Sequence, residues 1–165
     1  MSVNPTEINP RTGQEYYCGS TKDVIELCRV LNIGNGKAQK NNLNTVRFYM
    51  DQVEYLIDGY LQEYYFVPIR PYNQMMPNGN VVKMFPGRVR VCAQQWAAGL
   101  MMQSEFQDLD ANMNDAVNRY IENARKEIHQ MNLYNQRIPG QVYKSGWGRS
   151  AIPTMQPGIP PEPLW

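Results

Sequence analysis

Residues 44–64, with the sequence NTVRFYMDQVEYLIDGYLQEY, determine how the rest of the chain can be arranged. Apolar and aromatic side chains recur there at spacings of three and four, which places them on one face of an α-helix. The members of this predicted stripe are Val46, Tyr49, Val53, Leu56, Tyr60 and Tyr64, widened by Met50, Ile57 and Leu61. The opposite side carries acidic residues, so we expect an amphipathic helix with a solvated acidic face. Such a helix must pack its stripe against other elements of the same domain.

The size and composition of the chain limit the classes of protein it can belong to. Its 165 residues are enough for one domain with extensions. Hydrophobic residues make up 42% and charged residues 19%, as in globular proteins, and we predict no membrane-spanning helix. The N-terminus lacks the basic start and apolar core of a secretory signal, so we expect a cytoplasmic protein. A net charge of +1 excludes the overall electrostatic footprint of a nucleic-acid binder.

Three further helices are predicted around the central one. The first covers residues 21–32 and begins after Ser20, a residue type that caps helix N-termini. The next begins at residues 86–87 and ends near Phe106, and the last covers residues 113–131. Small residues that permit close approach of another helix lie in the third helix, at Ala93, Ala97, Ala98 and Gly99. We therefore predict a mainly α fold, a small four-helix bundle.

A β-hairpin insertion is predicted at about residues 66–86. The Asn-Gly pair at residues 78–79 is the strongest short-range hairpin signal. We expect residues 66–72 to pair with a returning strand at residues 81–85. A two-stranded ribbon is only marginally stable by itself in water. It should therefore lie against its own helices or against a neighbouring molecule, and its Met-rich tip favours the neighbour.

The two ends of the chain lack any sustained periodicity of apolar residues. Residues 1–19 are polar and interrupted by proline and glycine, which predicts an extended N-terminal arm outside the helical domain of residues 20–131. Residues 132–165 hold six of the twelve prolines, so neither a helix nor a central strand is expected there. Apolar and aromatic residues are nevertheless spread through this tail. We predict a docking tail that binds along another subunit, with disorder or wrapping over its own domain as the alternatives.

Few residues of the chain suit catalysis or metal binding. The one histidine, His129, lies in the fourth helix, away from any recognisable spacing of metal ligands. The cysteines, which we predict to be small buried apolar groups, are Cys18, Cys28 and Cys92. Asp108 and Asp110 lack the glycine and glutamate of a calcium loop. We therefore predict no catalytic site, no metal and no cofactor; a cofactor bound to the purified protein would restore an enzymatic alternative.

The order of the elements carries a resemblance to a known family. Residues 17–24, YCGSTKDV, lead into a short helix, and residues 57–61, IDGYL, end the long helix. Residues 64–69, YYFVPI, follow, and a helix through residues 96–98, WAA, comes next. Over about residues 17–131 this arrangement resembles the head-to-tail connector, or adaptor, proteins of tailed bacteriophages.

The resemblance implies a structural virion protein and a set of partners. In that family a small helical bundle forms a ring, commonly of twelve copies, beneath the portal protein. The ring extends the DNA channel and offers a surface to tail-completion or neck proteins, and DNA passes without sequence-specific binding. The expected location is the neck of the virion, after assembly in the host cytoplasm. The long arm, the hairpin and the proline-rich tail depart from the simplest members.

Two sets of candidate functional residues follow. The predicted interface residues are Phe66, Ile69, Tyr72, Met75, Met76, Val82, Met84, Tyr143, Trp147, Ile152, Met155, Leu164 and Trp165. The predicted channel-facing residues are Asp51, Glu54 and Asp58, which ordinary solvated surface would explain equally well. The alternative function is a stand-alone nucleic-acid-binding module whose phosphate contacts would be Lys37, Lys40, Lys83, Arg88 and Arg90.

Overall fold

The computed structural model describes residues 5–31, 43–105, 111–133 and 136–144. In chain order its elements are α1 (Thr21–Leu31), α2 (Leu43–Leu61), β1 (Tyr72–Met75), β2 (Val81–Met84), α3 (Gly87–Glu105) and α4 (Ala111–Met131). The four helices pack together, and β1 and β2 form an antiparallel hairpin inserted between α2 and α3. The predicted fold class, a small helical bundle with a hairpin insertion, is confirmed.

Helix α3 lies at the centre of the bundle and contacts each of the other three helices. Its small residues Ala93, Ala97 and Ala98 are completely buried. Gly99 lies so close to α4 that an added Cβ would stand 2.6 Å from Cγ1 of Ile121. The small residues therefore allow close helix packing, as the sequence predicts.

The buried face of α2 differs from the predicted stripe at two positions. Its buried residues are Val46, Tyr49, Met50, Val53, Glu54, Ile57 and Leu61. Leu56 was expected inside but is 41% exposed, whereas Glu54 was expected in solvent but is only 1% exposed. The prediction of a solvated acidic face is therefore wrong at Glu54. The physical reason is a segment of the chain that covers this side of α2.

That segment is the N-terminal cap, residues 5–20, where the sequence predicts an extended arm. Within the cap, Glu7 N–H donates a hydrogen bond to Gly19 O (2.7 Å) and Tyr16 N–H donates one to Glu7 O (2.9 Å). The side chains of Tyr16, Tyr17 and Cys18 are buried in the core. The arm prediction is wrong for these residues because turns and side-chain hydrogen bonds, rather than a regular period, hold the cap together.

The cap also completes the N-terminus of α1. Ser20 Oγ accepts a hydrogen bond from Asp23 N–H (3.2 Å), as expected of an N-cap residue. The carboxylate of Glu7 accepts a further bond from Thr21 N–H (2.9 Å) and pairs with Arg47 of α2 (3.1 Å). Burial would raise the pKa of Glu7, but the hydrogen bonds from Thr21 and the Arg47 charge together hold this pKa below its ordinary value. The first turn of α1 is thus bound to both the cap and α2.

The hairpin has the predicted turn, but its first strand, β1, differs from the predicted one. Its register runs from Tyr72 opposite Met84 to Met75 opposite Val81, so residues 76–80 form the connection. Within it Gly79 has a φ of +81°, the left-handed conformation that glycine adopts easily. The predicted pairing of residues 66–72 is wrong because a short connection fixes the residues just before it as the partner strand.

The beginning of the C-terminal tail returns to its own domain. Lys144 N–H donates to Tyr64 O (2.7 Å), and Tyr143 forms an antiparallel bridge with Tyr65. The buried hydroxyl of Tyr65 donates to Met131 O (2.5 Å) and accepts from Ile138 N–H (3.3 Å). Residues 136–144 of the predicted docking tail therefore wrap over their own chain, and residues 145–165 lie outside the described residues.

Two helical glycines allow a matched test of the packing between α3 and α4. We expect Gly59→Ala to raise the free energy of unfolding by about 0.5–1 kcal/mol, because alanine favours a helix and an added Cβ at Gly59 meets nothing within 4 Å. Gly99→Ala carries the same gain in helix propensity but collides with Ile121, so it should be at least about 1 kcal/mol less stable than Gly59→Ala. Urea unfolding measures both variants, and equal stabilities would contradict the close packing.

Candidate interaction surface

The hairpin projects from the domain. Within the described residues, neither β1 nor β2 lies against a helix. Because side chains alternate between the faces of a ribbon, Met75 and Val81 occupy one face and Val82 and Met84 the other. All four are exposed, Met75 to 73%. Each face of the ribbon thus carries two exposed apolar side chains beside exposed polar ones, Asn73 and Lys83 on the first face and Gln74 on the second.

Helix α2 presents a second apolar surface on the side away from the core. Its exposed residues at helical spacing define the α2 outer face: Phe48, Gln52, Tyr55, Leu56 and Gly59. The face holds no charged residue. Phe48 and Tyr55 are more than half exposed, although the Phe48 ring contacts that of Tyr49 and the Arg11 guanidinium of the cap lies 4.1 Å from the centroid of the Tyr55 ring. This second surface is absent from the predicted interface.

The structure separates the predicted interface residues into three groups. Exposed side chains are Phe66 in the α2–β1 connection and Met75, Met76, Val82 and Met84 of the hairpin, while Tyr72 is half-buried at its base. Ile69 is wrong as an interface residue, since it is completely buried, and Tyr143 packs on Tyr64 and Tyr65 of its own chain. Outside the described residues are Trp147, Ile152, Met155, Leu164 and Trp165.

Of the predicted channel-facing residues, Glu54 holds the N-terminal cap. Its Oε1 accepts a hydrogen bond from Tyr17 N–H at 2.7 Å. Its Oε2 accepts bonds from Asn9 Nδ2 at 2.6 Å and from Arg11 Nη2 at 3.4 Å. Every one of these donors belongs to the cap. The prediction that Glu54 faces a channel is therefore wrong, because the cap covers this carboxylate.

The other two acidic residues also bind the cap but keep some exposure. Asp58 accepts a bond from the Tyr17 hydroxyl at 2.5 Å, and that hydroxyl accepts from Ile69 N–H at 2.6 Å. Asp51 accepts from Asn9 Nδ2 at 3.2 Å and remains half-exposed at the edge of the α2 outer face. The acidic side of α2 is thus chiefly the seat of the cap.

Burial changes the acidity of this cluster. It raises the pKa of Glu54 to about 7, although the hydrogen bonds from Tyr17 N–H and Asn9 act in the opposite direction. It also raises the pKa of Asp58, against the lowering effect of the Tyr17 hydroxyl and Arg11. Burial and the nearby Asp58 carboxylate raise the pKa of Tyr17, so its hydroxyl stays protonated. The folded cluster therefore binds more protons than the unfolded chain between about pH 4.5 and pH 7.

The cations proposed for phosphate binding do not form one patch in the described part of the chain. Arg88 is paired with Glu127 at 2.7 Å and Arg90 with Glu15 at 2.6 Å. Lys83 on β2 makes no ion pair with any described residue, and Lys37 and Lys40 lie outside the described ranges. Two of the three described cations are therefore neutralised by carboxylates of their own chain.

The side chains that could serve in catalysis or metal binding are either buried or not grouped together in the described part of the chain. The three cysteines are buried thiols, and burial raises the pKa of Cys28 to about 12 and that of Cys92 to about 11. His129 is exposed, with its ring 4.8 Å from that of Tyr60. Across the described ranges, no three His, Cys, Asp or Glu residues are grouped so as to hold a metal ion. None of the helices in these ranges has the length and apolar character needed to span a membrane.

Comparisons of the chain with protein-family models, with curated proteins and with solved structures found no match.

The buried carboxylate of Glu54 gives a testable dependence of stability on pH. Because its pKa in the folded chain, about 7, lies above the ordinary value of 4.5, the folded state binds more protons between these values. The contribution of Glu54 is fully present below pH 4.5 and decreases as the pH rises through about 7. We expect Glu54→Gln, which cannot ionise, to show a flatter decrease in the free energy of unfolding across this interval.

Urea unfolding at a series of pH values measures the effect. Glu63→Gln, in the exposed turn after α2, serves as the control and should keep the slope of the parent chain. Burial also raises the pKa of Asp58, and the Asp58 carboxylate contributes to the raised pKa of Glu54, so the difference between the two curves measures Glu54 together with its interaction with Asp58. Identical slopes for the parent and Glu54→Gln would contradict this assignment.

Proposed function

We propose that this chain is a structural subunit of a ring, the head-to-tail connector of a tailed bacteriophage. In this role it binds beneath the portal protein, extends the DNA channel and joins it to tail-completion or neck proteins. The observation that carries the proposal is the hairpin, which exposes apolar side chains on both faces and lies against no helix of the described domain. A chain whose function is assembly needs such a surface, and needs no catalytic residues.

The separation between core and surface supports an assembly role. The four helices and the N-terminal cap bury one continuous apolar cluster to which the hairpin strands contribute nothing. The domain therefore folds around its own core, and the apolar residues Met75, Val81 and Met84 remain for other molecules. Met side chains suit this use, because they adapt to partners of different shape.

Two of the four stretches that carry the resemblance lie where the hairpin is attached. Residues 57–61 form the last turns of α2, and residues 64–69 form the connection that leads towards β1. In this connection Tyr65 is bound to the end of α4, and Ile69 N–H is bound to the Tyr17 hydroxyl of the cap. These two stretches thus form the junction between the helical bundle and the hairpin, the surface that the proposal uses for assembly.

The distribution of charge suits a channel through which DNA must slide. Affinity for phosphate rises with every lysine or arginine contact, so a basic patch would retain the DNA. The net charge is +1, and Arg88 and Arg90 are already paired with carboxylates. The alternative, a stand-alone nucleic-acid-binding module, predicts salt-dependent binding of the purified monomer to DNA.

The test is association with portal rings of the same virus. We expect the purified chain to add a ring of density beneath the portal in negative-stain micrographs and to co-sediment with it. Met75→Asp combined with Val81→Asp should reduce the bound amount at least tenfold, because buried carboxylates without partners oppose the contact. Such a variant should keep the circular dichroism spectrum and thermal stability of the parent, since neither residue belongs to the core.

Val91→Asp, which places a carboxylate at another exposed apolar position on α3, is the matched control and should bind the portal like the parent. A chain that never associates with portal rings would overturn the connector proposal. If Val91→Asp lost as much portal binding as the hairpin variant, the hairpin would not be the portal-binding surface, and that part of the proposal would be wrong.

A further inference from the structure

We propose that the hairpin of one copy binds the α2 outer face of the next copy, in a head-to-tail contact that repeats around the assembly. This inference rests on the proposed function, because it names the partner of the hairpin as a second copy of the same chain. The two surfaces lie apart in one chain, since neither strand of the hairpin approaches α2 within the described structure. Their contact must therefore join different copies.

The chemistry of the two surfaces is complementary. Both carry exposed apolar side chains. Lys83 on β2 is exposed, whereas Asp51 at the edge of the α2 outer face is partly exposed and accepts a hydrogen bond from Asn9, and the Arg11 guanidinium lies over the Tyr55 ring of that face. No described residue forms an ion pair with Lys83 or Asp51. A contact that covers the apolar residues and brings Lys83 to Asp51 pairs both charges at once.

The dimensions of the two surfaces agree. From Phe48 to Gly59 the outer face is about 16 Å long at 1.5 Å per helical residue. A four-residue strand is about 13 Å long, so β1 or β2 fits along the face. Gly59 keeps the end of the face open, because an added Cβ there meets no atom within 4 Å. A flat ribbon can approach the helix backbone at that point.

A head-to-tail contact explains more than a symmetric pairing of two hairpins. Pairing hairpin with hairpin through the face of Met75 and Val81 would bring two Lys83 residues together. Pairing through either face would leave Phe48, Tyr55 and Leu56 of both copies in water. In the head-to-tail contact every copy supplies one hairpin and one outer face, so every outer face and one face of every hairpin are covered when a ring closes.

The contact should be weak between two isolated copies. Residues 72–84 are fewer than the roughly 20–30 residues per side of a standard stable interface. A closed ring gives each copy two such contacts and so binds far more tightly than one pair. Association of the free chain is therefore expected only at high concentration, or on a portal ring.

Mixing two defective variants provides the decisive experiment. The hairpin variant carries Met75→Asp and Val81→Asp, and the face variant carries Phe48→Asp and Leu56→Asp; all four positions are exposed. Sedimentation velocity should show each variant alone as a monomer at concentrations where the parent associates. Their mixture should form a 1:1 heterodimer and nothing larger, because one intact hairpin can bind one intact face.

A disulfide trap covers the case in which the contact is too brief for sedimentation. Since the native cysteines are buried, Met75→Cys together with Leu56→Cys should give a ladder of covalent multimers on mild oxidation, in concentrated protein or on portal rings. Each single-cysteine variant should give much less product, and none beyond a dimer.

The proposal is overturned if the face variant associates like the parent, or if Met75→Cys alone gives as much covalent product as the double-cysteine variant. It is also overturned if the parent stays monomeric up to about 1 mM and the double-cysteine variant gives no ladder. A heterodimer together with failure to bind portal rings would reject the connector function and keep this contact. Binding to portal rings by the face variant at the parent's level, without a ladder, would keep the function and reject the contact.

Discussion

The buried carboxylate of Glu54 is the interaction on which the rest of the structure depends. A charged group without partners is costly in a protein interior, whereas one with good hydrogen bonds is tolerated. Glu54 meets this condition only because the N-terminal cap brings Asn9, Arg11 and Tyr17 N–H to it. The carboxylate thus fixes the position of the cap on α2, and the cap removes the carboxylate from water.

The cap is also hydrogen-bonded to the chain segment that leads into the hairpin. The Tyr17 hydroxyl joins Asp58 on α2 to Ile69 N–H in the following connection, and Tyr65 joins the same connection to the end of α4. The tail adds a third attachment, since Gln141 exchanges hydrogen bonds with the backbone of Arg70 at 2.7 and 3.2 Å. The connection before β1 is held from three directions. An unsupported ribbon can therefore be presented to a neighbour in a defined direction.

The sequence predicts those parts of the fold that depend on local pattern. Helical periodicity located all four helices to within three residues at each described end, and the Asn-Gly pair located the hairpin turn. Periodicity could not reveal that Glu54 is buried, because its partners lie about forty residues upstream in a segment without a period. Leu56 was misplaced for the same reason: once the cap takes the Glu54 side into the interior, the buried face turns away from Leu56.

The candidate site was predicted in part. The sequence predicts the exposed methionines from a marginal ribbon with an apolar tip. It does not predict the α2 outer face, because helical periodicity assigns Leu56 of that face to the core stripe. A signal was available in Phe48 and Tyr55, two aromatic residues outside the predicted stripe. One side of α2 packs in the bundle, and the cap covers the acidic side. The third side, with Phe48, Tyr55 and Leu56, stays exposed. This third side stays outside both because the stripe that the bundle buries and the acidic residues that the cap binds lie on the other two sides of the helix.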